Sequence, residues 1–206
     1  MTTRAAAFAA LLMLAAAAAI LHAMGRPPIC TCGAVELWVS AADSPTTSQM
    51  IADWYSPSHI VHGLLFYALL WLLARRRPVT ERFLAALVIE TAWELVENTP
   101  WAIERYREAT IAIGYNGDSV LNTMSDIAMM ALGFLLARKL PLWGAIAVGI
   151  ALELAALAAI RQPDAERVDA GRSQRDDQIV AGRGVTLGTI SPLKHWYARS
   201  SVENRQ

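Results

Sequence analysis

The sequence predicts an all-α, multi-pass transmembrane helical bundle with about five crossings, and three observations predict it. Hydrophobic residues make up 55% of the 206 residues, and the mean hydropathy is +0.33. Apolar runs of roughly 20 residues, the length of one bilayer crossing, recur along the first three quarters of the chain. Clusters of arginine and lysine end several of these runs, as is typical of cytoplasmic membrane borders.

The first apolar run covers residues 5–23 and predicts an N-terminal membrane anchor, with a signal peptide cleaved after Ala23 as the alternative. Four more crossings are predicted at about 57–74, 81–98, 118–137 and 142–160. A short interfacial helix is expected at 49–55 and a short amphipathic helix at 101–109. The chain therefore divides into an anchor or signal-like helix at 1–24, a periplasmic loop at 25–56, a four-helix transmembrane bundle at 57–160 and a polar, aperiodic tail at 161–206, which is predicted to be disordered.

The distribution of cations predicts the orientation. With the N-terminus in the cytoplasm, the cytoplasmic segments hold seven cations, namely Arg4, Arg75, Arg76, Arg77, Arg82, Arg138 and Lys139. The outer loops then hold only Arg26, Arg105 and Arg107. The positive-inside rule favours this arrangement.

Charge and cysteine content narrow the classes of partner. The formal net charge is zero, so the sequence indicates neither nucleic acid nor an acidic partner. The lipid bilayer is the partner that the apolar runs indicate, and the sequence points to no particular protein partner. Cys30 and Cys32 are too few for a disulfide framework and are interpreted as ordinary loop cysteines, with a redox or metal role as the alternative.

Two predicted crossings carry polar stripes. Glu90, Glu94, Glu97 and Asn98 are spaced i, i+4, i+7 and i+8, and Asp118, Asn122, Ser125 and Asp126 repeat that spacing. Such a spacing places each set on one face of a helix. Because ionisable groups inside a membrane are costly, these faces are expected to point into the bundle or into a water-filled cavity.

Depth predicts that polar groups from four crossings share one site. At 1.5 Å per residue, five of them should lie roughly 5–12 Å below the outer surface, namely His62, Glu94, Asn122, Asp126 and Glu153. The predicted ligands of a divalent metal such as zinc are His59, His62, Glu94, Asp126 and Glu153. Glu94 and Asp126 are also the catalytic candidates. The other predicted polar site residues are Glu90, Glu97, Asn98, Asp118 and Asn122.

Other interpretations apply to several of these residues. Asp118 follows a glycine at a helix start and suits an N-cap. Glu97 and Asn98 would be solvated at a helix end, and His59 would make a structural hydrogen bond at the interface. Without a metal, crowding and desolvation would protonate some of the carboxylates, and Glu90 could share a proton with Glu153.

Several local motifs resemble one known family. They are Asp-Trp-Tyr-Ser-Pro-Ser-His-Ile-Val-His-Gly at 53–63, Trp-Glu-Leu-Val-Glu-Asn at 93–98, Arg-Tyr-Arg at 105–107, and Gly-Asp-Ser-Val-Leu-Asn at 117–122 followed by Ser125 and Asp126. Over about 28–160 the chain resembles the bacterial family called domain of unknown function 2585, or uncharacterised protein family 0314. The resemblance implies an alphaproteobacterial, multi-pass protein of the inner membrane, and it implies no activity because none is assigned to the family.

The resemblance ends at Ile160. The family pattern continues there with Arg-Asp-Asn-Leu-Thr-Leu-Asn-Val, whereas this chain reads Arg-Gln-Pro-Asp-Ala-Glu-Arg-Val at 161–168. Codons able to encode this stretch, read one base forward, can give Asp-Asn-Leu-Thr-Leu-Asn-Val. The tail is therefore interpreted as a possible frameshift product.

Two hypotheses for function follow from the sequence. The first is a metal-dependent membrane hydrolase that acts on a lipid or envelope substrate, with a carboxylate as general base. The alternative is a non-enzymatic binding, transport or assembly protein in which the buried polar residues are structural.

Overall fold

The computed structural model describes residues 2–109 and 115–161, and all regular structure within these ranges is helical. The helices are α1 (Thr3–Ala23), α2 (Ser56–Ala74), α3 (Val79–Glu97), α4 (Pro100–Ala109), α5 (Val120–Lys139) and α6 (Leu142–Arg161). The predicted all-α fold class is confirmed. The prediction of a disordered or frameshifted tail falls almost wholly on 162–206, which lie outside the described residues.

Four helices, α1, α2, α5 and α6, are long and apolar enough to cross a membrane. Helix α3 is as long as α2, at 19 residues. It carries five charged side chains, namely Glu81, Arg82, Glu90, Glu94 and Glu97. It packs against α1, α2 and α5, and Glu90 and Glu94 are buried in that packing. We therefore regard α3 as part of the same multi-pass bundle, with its charges turned away from lipid.

Helices α2 and α5 make the closest approach in the bundle, at two glycines. A Cβ atom on Gly63 would lie 2.1 Å from the carbonyl oxygen of Met130. A Cβ atom on Gly133 would lie 2.0 Å from the carbonyl oxygen of Ile60. Small residues that let helix backbones meet are a common feature of membrane-helix interfaces. This crossing fixes the side chains one or two turns away on each helix.

An apolar core lies around and below that crossing. It consists of Ala86 and Leu87 from α3 with Ile127, Met130 and Phe134 from α5. Rings of Tyr67 and Phe83 stand edge-on to Phe134 at 5.1 and 5.3 Å between centroids. The polar side chains of α2, α3 and α5 lie above this core, toward the end of the bundle that carries residues 24–55. We call that end the loop end.

The predicted interfacial helix at 49–55 is wrong, because this segment forms turns and irregular structure. Its backbone instead bonds to the start of α5. The Ser119 hydroxyl donates to the Gln49 carbonyl at 3.0 Å, and the Asn122 amide donates to the Met50 carbonyl at 3.0 Å. Side chains at the start of α5 therefore donate hydrogen bonds to carbonyl groups that would otherwise have accepted bonds within a helix.

Two other features complete the loop end and the periphery. Cys30 and Cys32 form a disulfide, and Cys30 packs with Val39 and Met50 in a small apolar cluster. Helix α6 is the most exposed of the four candidate spans. It lies against α2, where a Cβ atom on Gly149 would be an ordinary 3.6 Å from Leu64.

Candidate functional site

Glu90 of α3 binds both histidines of α2. Its Oε1 atom lies 2.7 Å from Nδ1 of His59, and its Oε2 atom lies 3.1 Å from Nδ1 of His62. Glu90 is fully buried and His59 is nearly so. Since an ionised carboxylate can only accept hydrogen bonds, each of these two ring nitrogens donates to Glu90. In the neutral form of each histidine, this arrangement leaves Nε2 as the unprotonated nitrogen.

Two more carboxylates surround His59. Glu94 Oε1 lies 3.2 Å from His59 Nδ1, and Asp126 Oδ2 lies 3.8 Å from His59 Nε2. Both acids are buried. One ligand atom each from His59, Glu94 and Asp126 lie within 4.8 Å of one another, and so do those of His59, His62 and Glu90. His59 is thus the common member of two groups with the composition of a metal site.

The groups around His59 supply too few hydrogen-bond donors for its neighbouring carboxylates. The single hydrogen on His59 Nδ1 is directed to Glu90, the nearer acid. Glu94 Oε1 and Asp126 Oδ1 are buried without a hydrogen-bond partner among the residues that the structure describes. Leaving one buried acceptor unpaired costs about 1–3 kcal/mol, and more for a charged group. A bound water, an added proton or a cation would each satisfy these two oxygens.

Helical spacing explains how the sequence assembles this cluster. His59 and His62 are three residues apart on α2, and Glu90 and Glu94 are four apart on α3, so each pair lies on one helix face. Asp126 lies one turn before Met130 on α5, and His59 lies one turn before Gly63 on α2. The glycine crossing of these two helices therefore sets the distance between His59 and Asp126.

A second polar layer lies one turn nearer the loop end. The Asn98 amide donates to Asp118 Oδ2 at 2.6 Å, and the Asp118 backbone amide donates to Asn98 Oδ1 at 2.8 Å. These reciprocal bonds join the end of α3 to the start of α5. The expected N-cap role of Asp118 is wrong, because Ser119 occupies that position and its hydroxyl accepts a hydrogen bond from the backbone N–H of Asn122. Ser119 is the residue with extended backbone before the first helical turn, which an N-cap requires.

Burial also changes the acidity of this layer. Burial, and then the charge of Glu97, raise the pKa of Asp118 to about 7, against the opposing hydrogen bonds from Tyr115 and Asn98. The Tyr115 hydroxyl donates to Asp118 Oδ1 at 2.9 Å. Burial and the Asp118 charge raise the pKa of the Tyr115 phenol well above its ordinary value. Tyr115 therefore stays protonated and serves as a donor.

The structure does not bring every predicted site residue together. Glu153 is exposed on α6 and belongs to neither potential metal group. Glu153 was expected to share a proton with Glu90, but Glu90 contacts the two histidines instead. Glu97 is half-buried and hydrogen-bonded to Tyr106. Asn98 is buried rather than solvated, and Asn122 bonds to the loop rather than to the cluster.

Aromatic residues around His62 were not predicted as part of the site. The ring of Phe66 stacks on His62 at 5.8 Å between centroids, and Trp93 stands edge-on to it at 6.2 Å. Their spacing in the sequence held a usable signal. Phe66 lies four residues after His62 on α2, and Trp93 lies three after Glu90 on α3, so each shares a helix face with a cluster residue.

The fold and the buried cluster define a class of protein, a helical-bundle membrane protein with histidine and carboxylate side chains gathered inside the bundle. The sequence model of the family described as "Protein of unknown function (DUF2585)" matches residues 21–166. This match covers well over half of the chain, and the chain belongs to that family.

Several relatives carry the same family designation. A UPF0314 protein of Agrobacterium fabrum is 53% identical over 135 residues, which is 66% of this chain and 68% of the relative. A UPF0314 protein of Paracoccus denitrificans is 52% identical over 146 residues, 71% of this chain and 76% of the relative. A UPF0314 protein of Sphingopyxis alaskensis is 49% identical over 149 residues, which is 72% of this chain and 79% of the relative. No solved structure matches the chain significantly.

Proposed function

We propose that this protein is a metal-dependent membrane hydrolase that acts on a lipid or envelope substrate. The site would hold a divalent cation such as zinc through His59, Glu94 and Asp126. One observation carries the proposal. Glu94 and Asp126 each have a buried carboxylate oxygen without a hydrogen-bond donor, and both acids lie beside the imidazole of His59. A divalent cation held between these groups would neutralise the charge of both acids.

The position of Glu90 supports a ligand role for His59. Histidines that bind metals usually donate the other ring N–H to a carboxylate, which fixes the tautomer and orients the ring. Glu90 holds the Nδ1 hydrogen of His59 in this way and leaves Nε2 on the side of Asp126. Three protein ligands with an open fourth position are characteristic of catalytic rather than structural zinc sites.

The chemistry divides between the metal and the second histidine. A metal of this kind supplies an activated water, because coordination lowers the pKa of water toward neutrality. Ester hydrolysis by such a site would need a proton to reach the departing alcohol as the ester bond breaks. His62 is oriented by Glu90 and is a base outside the proposed ligand set that could move that proton.

We also propose an inner-membrane location with the N-terminus in the cytoplasm. The arginine cluster at 75–77 and the pair Arg138 and Lys139 lie at the end of the bundle opposite the loop end, so the positive-inside rule favours a cytoplasmic location for that end. The loop end would then face the periplasm. The disulfide between Cys30 and Cys32 suits that compartment, since disulfides persist in oxidising surroundings.

The proposal is tested by elemental analysis of the full chain purified in detergent, after equilibration with zinc and removal of excess metal. We expect about one metal ion per chain, and at least a tenfold lower occupancy in Glu94→Gln and in Asp126→Asn. The matched control is Glu153→Gln, which changes an exposed acid on α6 and should bind as wild type. Hydrolysis of radiolabelled bacterial lipid extract should follow the same order. Occupancy below a tenth in the folded wild type would refute the metal site.

The alternative function is favoured by a different observation. Glu90 and the two histidines form a complete hydrogen-bonded group, and such a group needs no metal to be stable. If wild type binds no metal and Glu90→Gln mainly lowers thermal stability, the cluster would be the structural framework of a non-enzymatic binding, transport or assembly protein.

A further inference from the structure

The polar cluster is covered at the loop end. The residues one turn above it, Ser56 on α2 and Asn122 on α5, are 2% exposed each. Met50 and Asp53 of the loop are equally buried, and the Met50 carbonyl accepts the Asn122 amide. On the third helix, the Asn98–Asp118 pair closes the space between α3 and α5. A substrate from the aqueous side would have to displace these bonded groups.

His62 gives the cluster a different opening. Its side chain is 29% exposed, whereas those of His59, Glu90 and Glu94 are 8% or less. His62 lies in a groove between α2 and α3 with a volume of about 410 Å³. The groove is lined by His62, Phe66, Ile89, Ala92, Trp93 and Val96. We call it the α2–α3 groove.

We propose that the α2–α3 groove binds one hydrocarbon chain of a membrane lipid and presents the lipid's ester or phosphoester group to His62. This inference rests on the proposed function for the reaction, and it adds the class of substrate and the path by which it arrives. The lipid enters sideways from the bilayer and never passes through water.

Depth supports a lipid as the occupant. His62 lies six residues from the start of α2 at Ser56, or about 9 Å along the helix axis. Helix α2 has 19 residues and is about 28 Å long, close to the roughly 30 Å of the hydrocarbon core, so His62 lies in the outer third of that core, at the level of lipid chains. Phe66 lies about 6 Å deeper. A lipid chain along the groove would therefore place its polar linkage near His62 and its tail on Phe66 and Ile89.

The lining and the size of the groove support the same occupant. Five of its six lining residues are apolar, and Trp93 and Val96 are 45% and 49% exposed. The volume falls within the range of small-molecule sites, roughly 300–1,000 Å³. It would hold only about one turn of a helix some 10 Å across, which makes the helix of a second copy a poor fit.

The experiment uses the full chain in phosphatidylethanolamine vesicles that contain a phosphatidylcholine with a diazirine on its acyl chain. After irradiation, adducts are located by peptide mass spectrometry. We expect the yield per residue on the groove segments, 62–66 and 89–96, to exceed the yield on the outer face of α6 at Leu154 and Leu157 at least fivefold. Equal yields on both surfaces would overturn the proposal, since any lipid-facing surface gives that background.

A matched pair of substitutions adds a test of position. Ala92→Phe fills the groove, whereas Ala155→Phe adds the same ring to an exposed alanine of α6. Labelling of the groove segments should fall to background in the first variant and stay unchanged in the second. Ala92→Cys should give little disulfide-linked dimer on mild oxidation, and efficient dimerisation would show a second copy in the groove and overturn the proposal.

The two proposals fail in distinguishable ways. Ala92→Phe should retain wild-type metal content, which also shows that this variant is folded. Glu94→Gln should lose metal and retain lipid labelling. Bound metal without enriched labelling would refute the lipid path alone, and enriched labelling without metal would refute the metal site alone.

Discussion

Gly63 and Gly133 face each other where α2 crosses α5, so that each backbone occupies the space that the other's side chain would need. The crossing lies one turn below His59 and adjoins both the polar cluster and the apolar core. The separation of α2 and α5 at this point therefore controls both the packing of the core and the distance from His59 to Asp126.

Gly63→Ala should destabilise the bundle, because its Cβ atom would lie 2.1 Å from the Met130 carbonyl oxygen and the helices would have to move apart. Overpacking of this kind typically costs about 1–3 kcal/mol. The measurement is the free energy of unfolding in mixed micelles. Gly149→Ala is the control, since its Cβ atom would make only an ordinary contact at 3.6 Å and alanine favours the helix. Equal effects of the two changes would contradict the close crossing.

The Asn98–Asp118 pair should be energetically coupled. Its two reciprocal hydrogen bonds are buried, so removing either partner leaves polar groups of the other unpaired. In a double-mutant cycle of Asn98→Ala and Asp118→Ala, we expect a coupling energy of roughly 1–3 kcal/mol in unfolding. A coupling energy near zero would mean that the two residues do not join α3 to α5.

Stability should fall as pH rises from about 4 to 7, through Asp118. Its pKa is about 7 in the folded protein against an ordinary value of 3.8. Between these values the folded state holds one more proton than the unfolded state, so this contribution to stability is complete below pH 4 and is lost as pH rises through 7. The slope from this one group is at most about 1.4 kcal/mol per pH unit.

Other acids titrate in the same window, so the measurement is a comparison of wild type with Asp118→Asn. Glu97 and Asp53 contribute repulsion at Asp118 and remain in the variant. We expect the pH slope of the unfolding free energy to be shallower in the variant. An unchanged slope would show that Asp118 is ionised across this range.

A membrane-impermeant maleimide should reach Cys32 from outside intact cells once its disulfide is reduced. Cys32 is exposed in the loop, which would face the periplasm in the proposed orientation. As the control, Arg76→Cys in a chain with serine at positions 30 and 32 should react only after the membrane is permeabilised. The opposite pattern would reverse the proposed orientation.

The sequence predicted the helices well because apolar run length is a local property. All five predicted long helices are present, and their boundaries differ from the prediction by at most two residues, since caps and turns depend on neighbours. Ser119 rather than Asp118 caps α5, because Asp118 is already bonded to Asn98 across the bundle. The segment at 49–55 was misassigned for a similar reason, since its carbonyls bond to α5.

The site was harder to predict because the depth of a residue along its helix does not tell which way its side chain points. Glu153 lies at a suitable depth, yet α6 rests on the outside of α2 and leaves that carboxylate exposed. His59, which was expected at the interface, is the residue shared by both groups. Its burial depends on the glycine crossing and on the loop above it, and neither can be read from the spacing of α2 alone.

The pairing of Glu90 with both histidines of α2 has a consequence for biogenesis. Helix α3 by itself carries too many charges for stable insertion, whereas α2 is apolar and precedes it by a short arginine-rich turn at 75–78. Once the two segments leave the translocation channel as a hairpin, the histidines supply donors to the buried acid. We therefore expect α3 to enter the bilayer only with α2, and chains that lack the α2 histidines to be recognised by quality-control proteases before α5 has been made.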